Sequence, residues 1–443
     1  MNRDETPRNL LDRVIRQNYP LALVGLAAFI VLILGLRTFN AVFYPVLHCE
    51  DGTEMLAYYW NHPYPVEIFR FYMGYISLIP NAVGFLSTFL FPLHVAPYVM
   101  VLFSLGIATT ALSLFALRRF RPIMPDDKSR MLVCLMLALL PLGNFAMLTN
   151  LTYSMWHILL IAIVLMAAPP PKSTIAKLFQ FIFIVLASWS HPLSILLIPI
   201  GVVLFFARPS LLDRIGNIGI VISTTAYAMF GVQAASSNAT LSGETLIITY
   251  HSLMHRVIFE SVFGNHARDI LEHTTYPWLI NVLALGISVL LVLAIWSYHK
   301  KHKSKINLVM VGFLTFVIFA ITFLSIAGRS MELESIVVRW GHRYFYLQQL
   351  LFAFLVILYI IRTVEWKTMA TSTRVVMAAL AAIYIISLNV YNEGFFTTSK
   401  EQGVETIEFL KEAERQMNTG EGVKEPFIFS REGEWDIKLI PHP

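Results

Sequence analysis

"YMGYISLIPNAVGFLSTFLF", residues 72–91, is the stretch on which the topology turns. Its composition suits a membrane span, yet Pro80 and Asn81 sit near its middle and the run is short. A proline removes a helical donor, and irregular backbone at membrane depth survives only where protein or water covers it. The stretch therefore reads as a helix lying along the outer interface or re-entering from it. Counting it as a crossing would place "RRFR", residues 118–121, on the outer side and invert every later segment.

Outward from that stretch the chain is a membrane protein throughout. Its 443 residues are 56% hydrophobic and 14% charged, with a mean hydropathy of +0.64. Several apolar runs approach the ~20 residues that cross a hydrocarbon layer roughly 30 Å thick. Only helices and closed barrels satisfy their backbone in lipid, and continuous runs exclude the alternating strands of a barrel. Spans are expected at residues 20–36, 97–117, 131–147, 153–168, 175–190, 193–207, 215–233, 278–298, 308–326, 344–361 and 375–391, about eleven in all. The fold class is an all-α polytopic bundle, divided into a membrane domain over 1–391 and an extracytoplasmic tail over 392–443.

Charge sets the orientation. Arg3, Arg8, Arg13 and Arg16 precede the first span and hold the N-terminus in the cytoplasm. The N-terminal region lacks a small-residue cleavage site and its apolar run is long, so it reads as a retained span. "RRFRPIMPDDKSR", "PPPKSTIAK", "ARPSLLDR", "YHKKHKSK" and "RTVEWKTMATSTR" are all basic and all fall on the cytoplasmic side. The net charge of +5 thus reflects topology rather than nucleic-acid binding. Cys49 and Cys134 lie in different settings and are not expected to pair.

The outer side then carries a first loop over about 40–96, a polar loop over about 234–277, a third loop over 328–343 and the tail. In the tail, "VETIEFLKEAERQM" reads as a helix, and the segments around "PFIFS" and "WDIKLI" as two arms of a hairpin.

The first loop opens with "HCEDGTEMLAYYW", residues 48–60, which places Glu50, Asp51 and Glu54 within five positions. A solvated loop with incidental acids is one reading. The other is a catalytic carboxylate. An acid at the membrane boundary is partly desolvated, which raises its pKa towards the range of a general base. In a helix Glu54 and Tyr58 share a face, and Tyr58, Tyr59 and Trp60 begin an aromatic belt suited to an interface or to sugar stacking.

Arginine is disfavoured in short outer loops, yet Arg329, Arg339 and Arg343 fall in the third one. Pairing with Glu332 and Glu334 is the structural explanation. Phosphate recognition is the functional one, because the guanidinium fork matches phosphate oxygens and Arg343 stands at a helix start. His157 and His191 lie near outer helix ends, while His48 and His62 bracket the acids. Such a cluster admits a divalent metal, although no ligand spacing is diagnostic. Arg70, Tyr75 and Tyr344 complete the candidate binding set. There is no Walker A loop, dinucleotide fingerprint, zinc signature or nucleophile elbow.

"CEDGTEMLAYYW" after a single span, followed by "FRFYMGYISLIPNAVGFLSTFLFPLHVAPYV", resembles the GT-C superfamily of membrane glycosyltransferases. It is closer still to a group of bacterial multi-spanning, glucosyltransferase-like proteins. "NLTYSMWH", "SHPLSILLIP", "RYFYLQQLLF" and the "W-x-I-x-L-x-P" of the tail extend the likeness over most of the chain. The resemblance implies an inverting transferase in the bacterial inner membrane, with the C-terminus periplasmic. Its donor would be a polyprenyl-phosphate-linked sugar and its acceptor a glycan or lipid-linked hydroxyl. Asp51 or Glu50 would be the base and Arg343 the phosphate partner; Glu54 departs from the expected pattern. Two other readings compete. A flippase or transporter of lipid-linked sugars predicts charges buried mid-span. An O-antigen polymerase or ligase centres on arginines of a later loop, for which Arg256 and Arg268 qualify.

Overall fold

A computed structural model describes residues 18–47, 50–72, 74–232, 243–273, 278–303, 305–327, 342–363, 370–391, 398–419, 427–429 and 437–440. The N-terminal arginines, His48, Cys49, Glu332, Glu334, Arg329 and Arg339 lie outside the described residues.

The stretch that opened the sequence reading is a tight hairpin followed by a helix. Phe71–Tyr72 (β1) pairs antiparallel with Tyr75–Ile76 (β2), and Gly74 takes the positive φ of 84° that the turn needs. Leu78–Leu90 is a helix of 13 residues, about 20 Å at 1.5 Å per residue, which is shorter than the bilayer core. Pro80 falls in its first turn, where no intrahelical bond is lost. The two free amides before it are satisfied from the turn after residue 188: Leu78 N–H donates to Trp189 O at 3.0 Å and Ile79 N–H to Ser190 Oγ at 3.1 Å. Pro80, having no N–H, leaves no third orphan donor. Buried Asn81 then donates its side-chain amide to Ile68 O at 3.1 Å and fixes the first loop over the helix.

Helices of eight residues or more are numbered in chain order: α1 Tyr19–Arg37, α2 Leu78–Leu90, α3 Ala96–Ser113, α4 Asp127–Leu139, α5 Ser154–Ala167, α6 Thr174–Ser188, α7 Leu197–Ala207, α8 Leu211–Ala226, α9 Gly243–Ser252, α10 Asn265–Glu272, α11 Trp278–His302, α12 Lys305–Ala327, α13 His342–Thr363, α14 Thr371–Tyr391 and α15 Lys400–Asn418. The protein is an all-α membrane protein whose strands form only two-stranded ribbons among the described residues. Among the described residues, six helices are long and apolar enough to cross a membrane: Tyr19–Arg37, Ala96–Phe120, Trp278–His302, Leu308–Ala327, Arg343–Thr363 and Thr371–Val390. The apolar helices Leu78–Leu90, Ser154–Ala167, Thr174–Ser188 and Pro192–Ala207 are shorter. The run expected at 131–147 is not one helix. It breaks after Leu139, and a separate turn, Phe145–Thr149, starts behind the Asn144 cap. The helix Thr371–Val390 turns Val375, Leu380, Ile383 and Ile386 outward, as a lipid-facing surface requires.

Contacts divide the chain into two units. One comprises 1–33, 112–142 and 238–393. In it, the basic loop before α4 folds around Arg130, which is fully buried, donates to Ala116 O at 3.1 Å and pairs with Asp127. Residues 243–273 of this unit, expected as a polar loop, are helical: α9 runs into a π-helical turn, Leu253–Phe259, and α10 follows. Arg256 and Arg268 are buried there. Arg268 pairs with Glu260 at 3.3 Å and Glu272 at 3.4 Å, and Arg256 with Glu260 at 3.6 Å. Removing one member of such a buried network costs about 3–5 kcal/mol, which makes these arginines part of the fold.

The second unit comprises 34–111, 143–237 and 394–443. Its α5–α8 pack with alternating direction. Arg208, after α7, donates to Met166 O at 2.9 Å and Ala168 O at 2.7 Å, which satisfies carbonyls at the C-terminus of α5. Lys177 at the start of α6 pairs with Asp213 at the start of α8 at 2.8 Å. At the other end Trp189 Nε1 donates to Ser223 Oγ at 3.1 Å. One end of this group therefore gathers Lys172, Lys177, Arg208 and Arg214, while Asp51 sits at the opposite end, against α5's first turn. The tail docks on the first loop of the same unit. Its hairpin forms as the alternation predicts, with Phe427–Phe429 antiparallel to Ile437–Leu439. Asn61 exchanges two bonds with it, donating to Lys438 O at 2.9 Å and accepting from Ile440 N–H at 2.8 Å.

This polarity sets the first expectation. With both native cysteines replaced by alanine, Cys at His62 should react with a membrane-impermeant maleimide only from outside. Cys at Lys172 should react only after the inner face is opened. Labelling of both from one side would contradict the orientation of α5.

Candidate functional site

The first turn of α5 is the point where the first loop converges. The loop re-enters the protein at Glu50 as a π-helical turn, Asp51–Ala57, and both Glu50 and Asp51 are buried. Asp51 Oδ2 accepts from Leu151 N–H at 2.6 Å. Its Oδ1 accepts from Thr152 N–H and from Thr152 Oγ1, each at 3.0 Å. Tyr153 hydroxyl donates to Glu50 Oε2 at 3.3 Å. Asn150 Oδ1 accepts from Tyr153 N–H at 2.9 Å, so the residues just before α5 present their free amides to carbonyl and carboxylate oxygens. The glycine of "EDG" has a local reason: a Cβ on Gly52 would stand 2.9 Å from Ile437 Cγ1 of the docked tail.

Burial opposes the charge on Asp51, while the helix-start donors favour it. Desolvation is the larger effect, and with the neighbouring Glu50 charge it pushes the Asp51 carboxyl up to about 7. Three hydrogen bonds occupy three of the roughly four acceptor positions of a carboxylate, leaving one on Oδ2.

A second cluster surrounds Arg70. Its guanidinium pairs with Glu54 at 2.9 Å and lies 3.5 Å from the Tyr58 ring centroid, with Tyr59 and Tyr72 within 6 Å. Glu67 accepts from the Tyr58 hydroxyl at 2.7 Å. Glu54 and Tyr58 do meet, as expected, but through Arg70. A cation so surrounded contributes about 1–2 kcal/mol to holding the loop. Trp60, expected on a sugar-stacking surface, donates instead to Ile440 O at 3.2 Å and anchors the tail.

Two further candidates reach the same helix start. Tyr75 hydroxyl points at Met155 Sδ, 3.7 Å away. His191 lies edge-on to Trp156, ring centroids 4.3 Å apart, and its Nδ1 accepts from Leu193 N–H at 3.0 Å. That bond places the proton on Nε2. Burial holds the His191 pKa down at about 3, so the imidazole is neutral and offers no charge to a phosphate. His157 is fully buried one position along from Trp156. Arg343 and Tyr344 belong to the other unit, in the first turn of α13 as the helix start predicts. Arg343 Nε donates to the Tyr344 hydroxyl at 2.9 Å.

In "NLTYSMWH", His157 is the residue whose type marks it as a candidate, yet Thr152 and Tyr153 in the same motif hold both acids. A polar Thr-Tyr pair directly before an apolar helix was the available signal. Glu67, which accepts from the Tyr58 hydroxyl nine positions away, carries no spacing signal in the sequence. Among the described residues, no group of three or more His, Cys, Asp or Glu side chains is arranged to hold a metal ion. No family model, curated protein or solved structure matches the chain.

The raised Asp51 pKa gives a signed expectation for stability. Between about pH 4 and 7 the folded chain binds a proton that the unfolded chain has released, so stability falls as pH rises through that window. Asp51→Asn should remove this slope from detergent melting curves. It should also lower stability by about 1–3 kcal/mol, since the amide NH₂ cannot accept from Leu151 or Thr152. An unchanged slope would show that Asp51 titrates as an exposed carboxylate.

Proposed function

We propose that the protein is a glycosyltransferase that moves a sugar from a polyprenyl-phosphate donor to a hydroxyl of a glycan or lipid-linked acceptor. The observation that carries this reading is the buried Asp51 carboxylate, poised near neutrality beside the start of α5 with one acceptor position unused by the protein. A general base works best when its pKa lies near the working pH. Asp51 Oδ2 takes the acceptor hydroxyl's proton, the oxygen attacks the anomeric carbon with inversion, and the lipid phosphate leaves. The amides of Leu151 and Thr152 keep the carboxylate oriented throughout. The phosphate partner that the resemblance implies, Arg343, belongs to the other unit, and Arg329 and Arg339 lie beyond the described residues. In this reading the chain is a multi-pass protein of the bacterial inner membrane, N-terminus cytoplasmic and C-terminus periplasmic. The basic loops between α5 and α6 and between α7 and α8 support that orientation.

The test is transfer from a polyprenyl-phosphate sugar in proteoliposomes, followed against pH. The rate should rise with pH and reach half its plateau near 7, where Asp51 ionises. Asp51→Asn should lose about 100-fold or more. Glu50→Gln removes a charge that raises the Asp51 pKa, so its half-point should move to lower pH. Thr152→Val removes a bond that lowers it, so its half-point should move higher. Full activity in both Asp51→Asn and Glu50→Gln would end the proposal.

A further inference from the structure

At the basic end of α5–α8 lies a cavity of about 390 Å³, closed on two sides by α6 and α8. Its walls are mainly apolar, from Phe181 and Ile184 on α6 to Ile220 on α8, with Gln180 and Asn217 as polar interruptions. Its mouth carries Lys177, Arg208 and Asp213, a local charge of +2 − 1 = +1. Arg208 spends only Nη2 on the carbonyls of Met166 and Ala168. Among the described residues its Nε and Nη1 make no hydrogen bond, and that free edge of the fork suits two oxygens of one phosphate. Lys177 has Asp213 as its partner and two more ammonium protons to donate.

The cavity opens among side chains that already face outward. Leu178 on α6 and Leu212 and Ile215 on α8 all line it and are strongly exposed apolar residues. In a membrane protein such residues face acyl chains. Gly216 lines the cavity, and a Cβ there would meet nothing within 4 Å. The site thus has a cationic end, an apolar length and an opening on the lipid-facing surface. Soluble anions match the first of these features only.

We infer that this groove binds one anionic phospholipid, its phosphodiester between Arg208 and Lys177 and an acyl chain along Phe181, Gly216 and Ile220. The net charge of +1 complements a single phosphodiester. The site stands at the far end of α5 from Asp51, a helix of 14 residues or about 21 Å. The lipid is therefore a bound structural partner that ties α6 to α8, and the inference does not depend on the transferase reading.

Native mass spectrometry of the full chain in detergent, titrated with phosphatidylglycerol or phosphatidylcholine, tests it. Wild type should retain one phosphatidylglycerol at least about tenfold more tightly than phosphatidylcholine, and the bound lipid should raise its melting temperature by mass action. Gly216→Leu fills the groove without touching the cations and should lose this binding about tenfold or more. Asp213→Asn leaves both cations and removes the competing anion, so it should bind phosphatidylglycerol more tightly than wild type. Equal retention of both lipids, unchanged binding in folded Gly216→Leu, or weaker binding in Asp213→Asn would each overturn the inference. Stoichiometric displacement by a polyprenyl phosphate would overturn the assignment to a phospholipid.

Discussion

The carboxylate of Asp51 on the turn that leads into α5 is the constraint from which the second unit is organised. Two backbone amides and a hydroxyl converge on one buried side chain. That convergence decides where the first loop re-enters and where α5 begins. It places the following π-helical turn so that Gly52 meets the tail and Glu54 meets Arg70. The same interaction holds a charge in an environment that disfavours it, with the helix-start amides compensating. An acid balanced near neutrality is what proton transfer needs.

The remaining loop contacts support that arrangement from three directions. Arg70, among Tyr58, Tyr59 and Tyr72, stiffens the loop from within. Asn61 and Trp60 lock it to the tail. Ser77, Leu78 and Ile79 tie it to the turn after α6: Ser77 Oγ donates to Ser190 O at 3.2 Å, and the other two donate as backbone amides. The basic end of the helices carries opposite chemistry, with Arg208 closing the carbonyl end of α5. The dipole of α5 is thus met by a carboxylate at its N-terminus and a guanidinium at its C-terminus.

Much of this was legible in the sequence where a local rule applies. Apolar runs and basic loops gave the membrane class. Alternation gave the tail hairpin, and Pro80 falls in the first turn of the short helix Leu78–Leu90. Less was legible where partners lie far apart in the chain. Asp51 meets Leu151 and Thr152 across about 100 positions, and Trp60 meets Ile440 across 380. No periodicity encodes such pairings, so Trp60 read as a sugar platform when it is a tail anchor. Residues 243–273 read as a polar loop because their charges are many; those charges neutralise one another inside short helices. The run at 131–147 read as one span because hydropathy averages over the break that Asn144 caps.

The most direct measurement is an infrared titration of the carboxyl stretch in the full chain, with Asp51→Asn as the difference reference. A single protonated-carboxyl band should disappear with a midpoint near pH 7 in the wild type and be absent from the variant. An Asp51 band that disappears near the unperturbed value of about 4 would contradict the account. The carboxylate would then be an ordinary helix cap, and the case for a base at this site would fall with it.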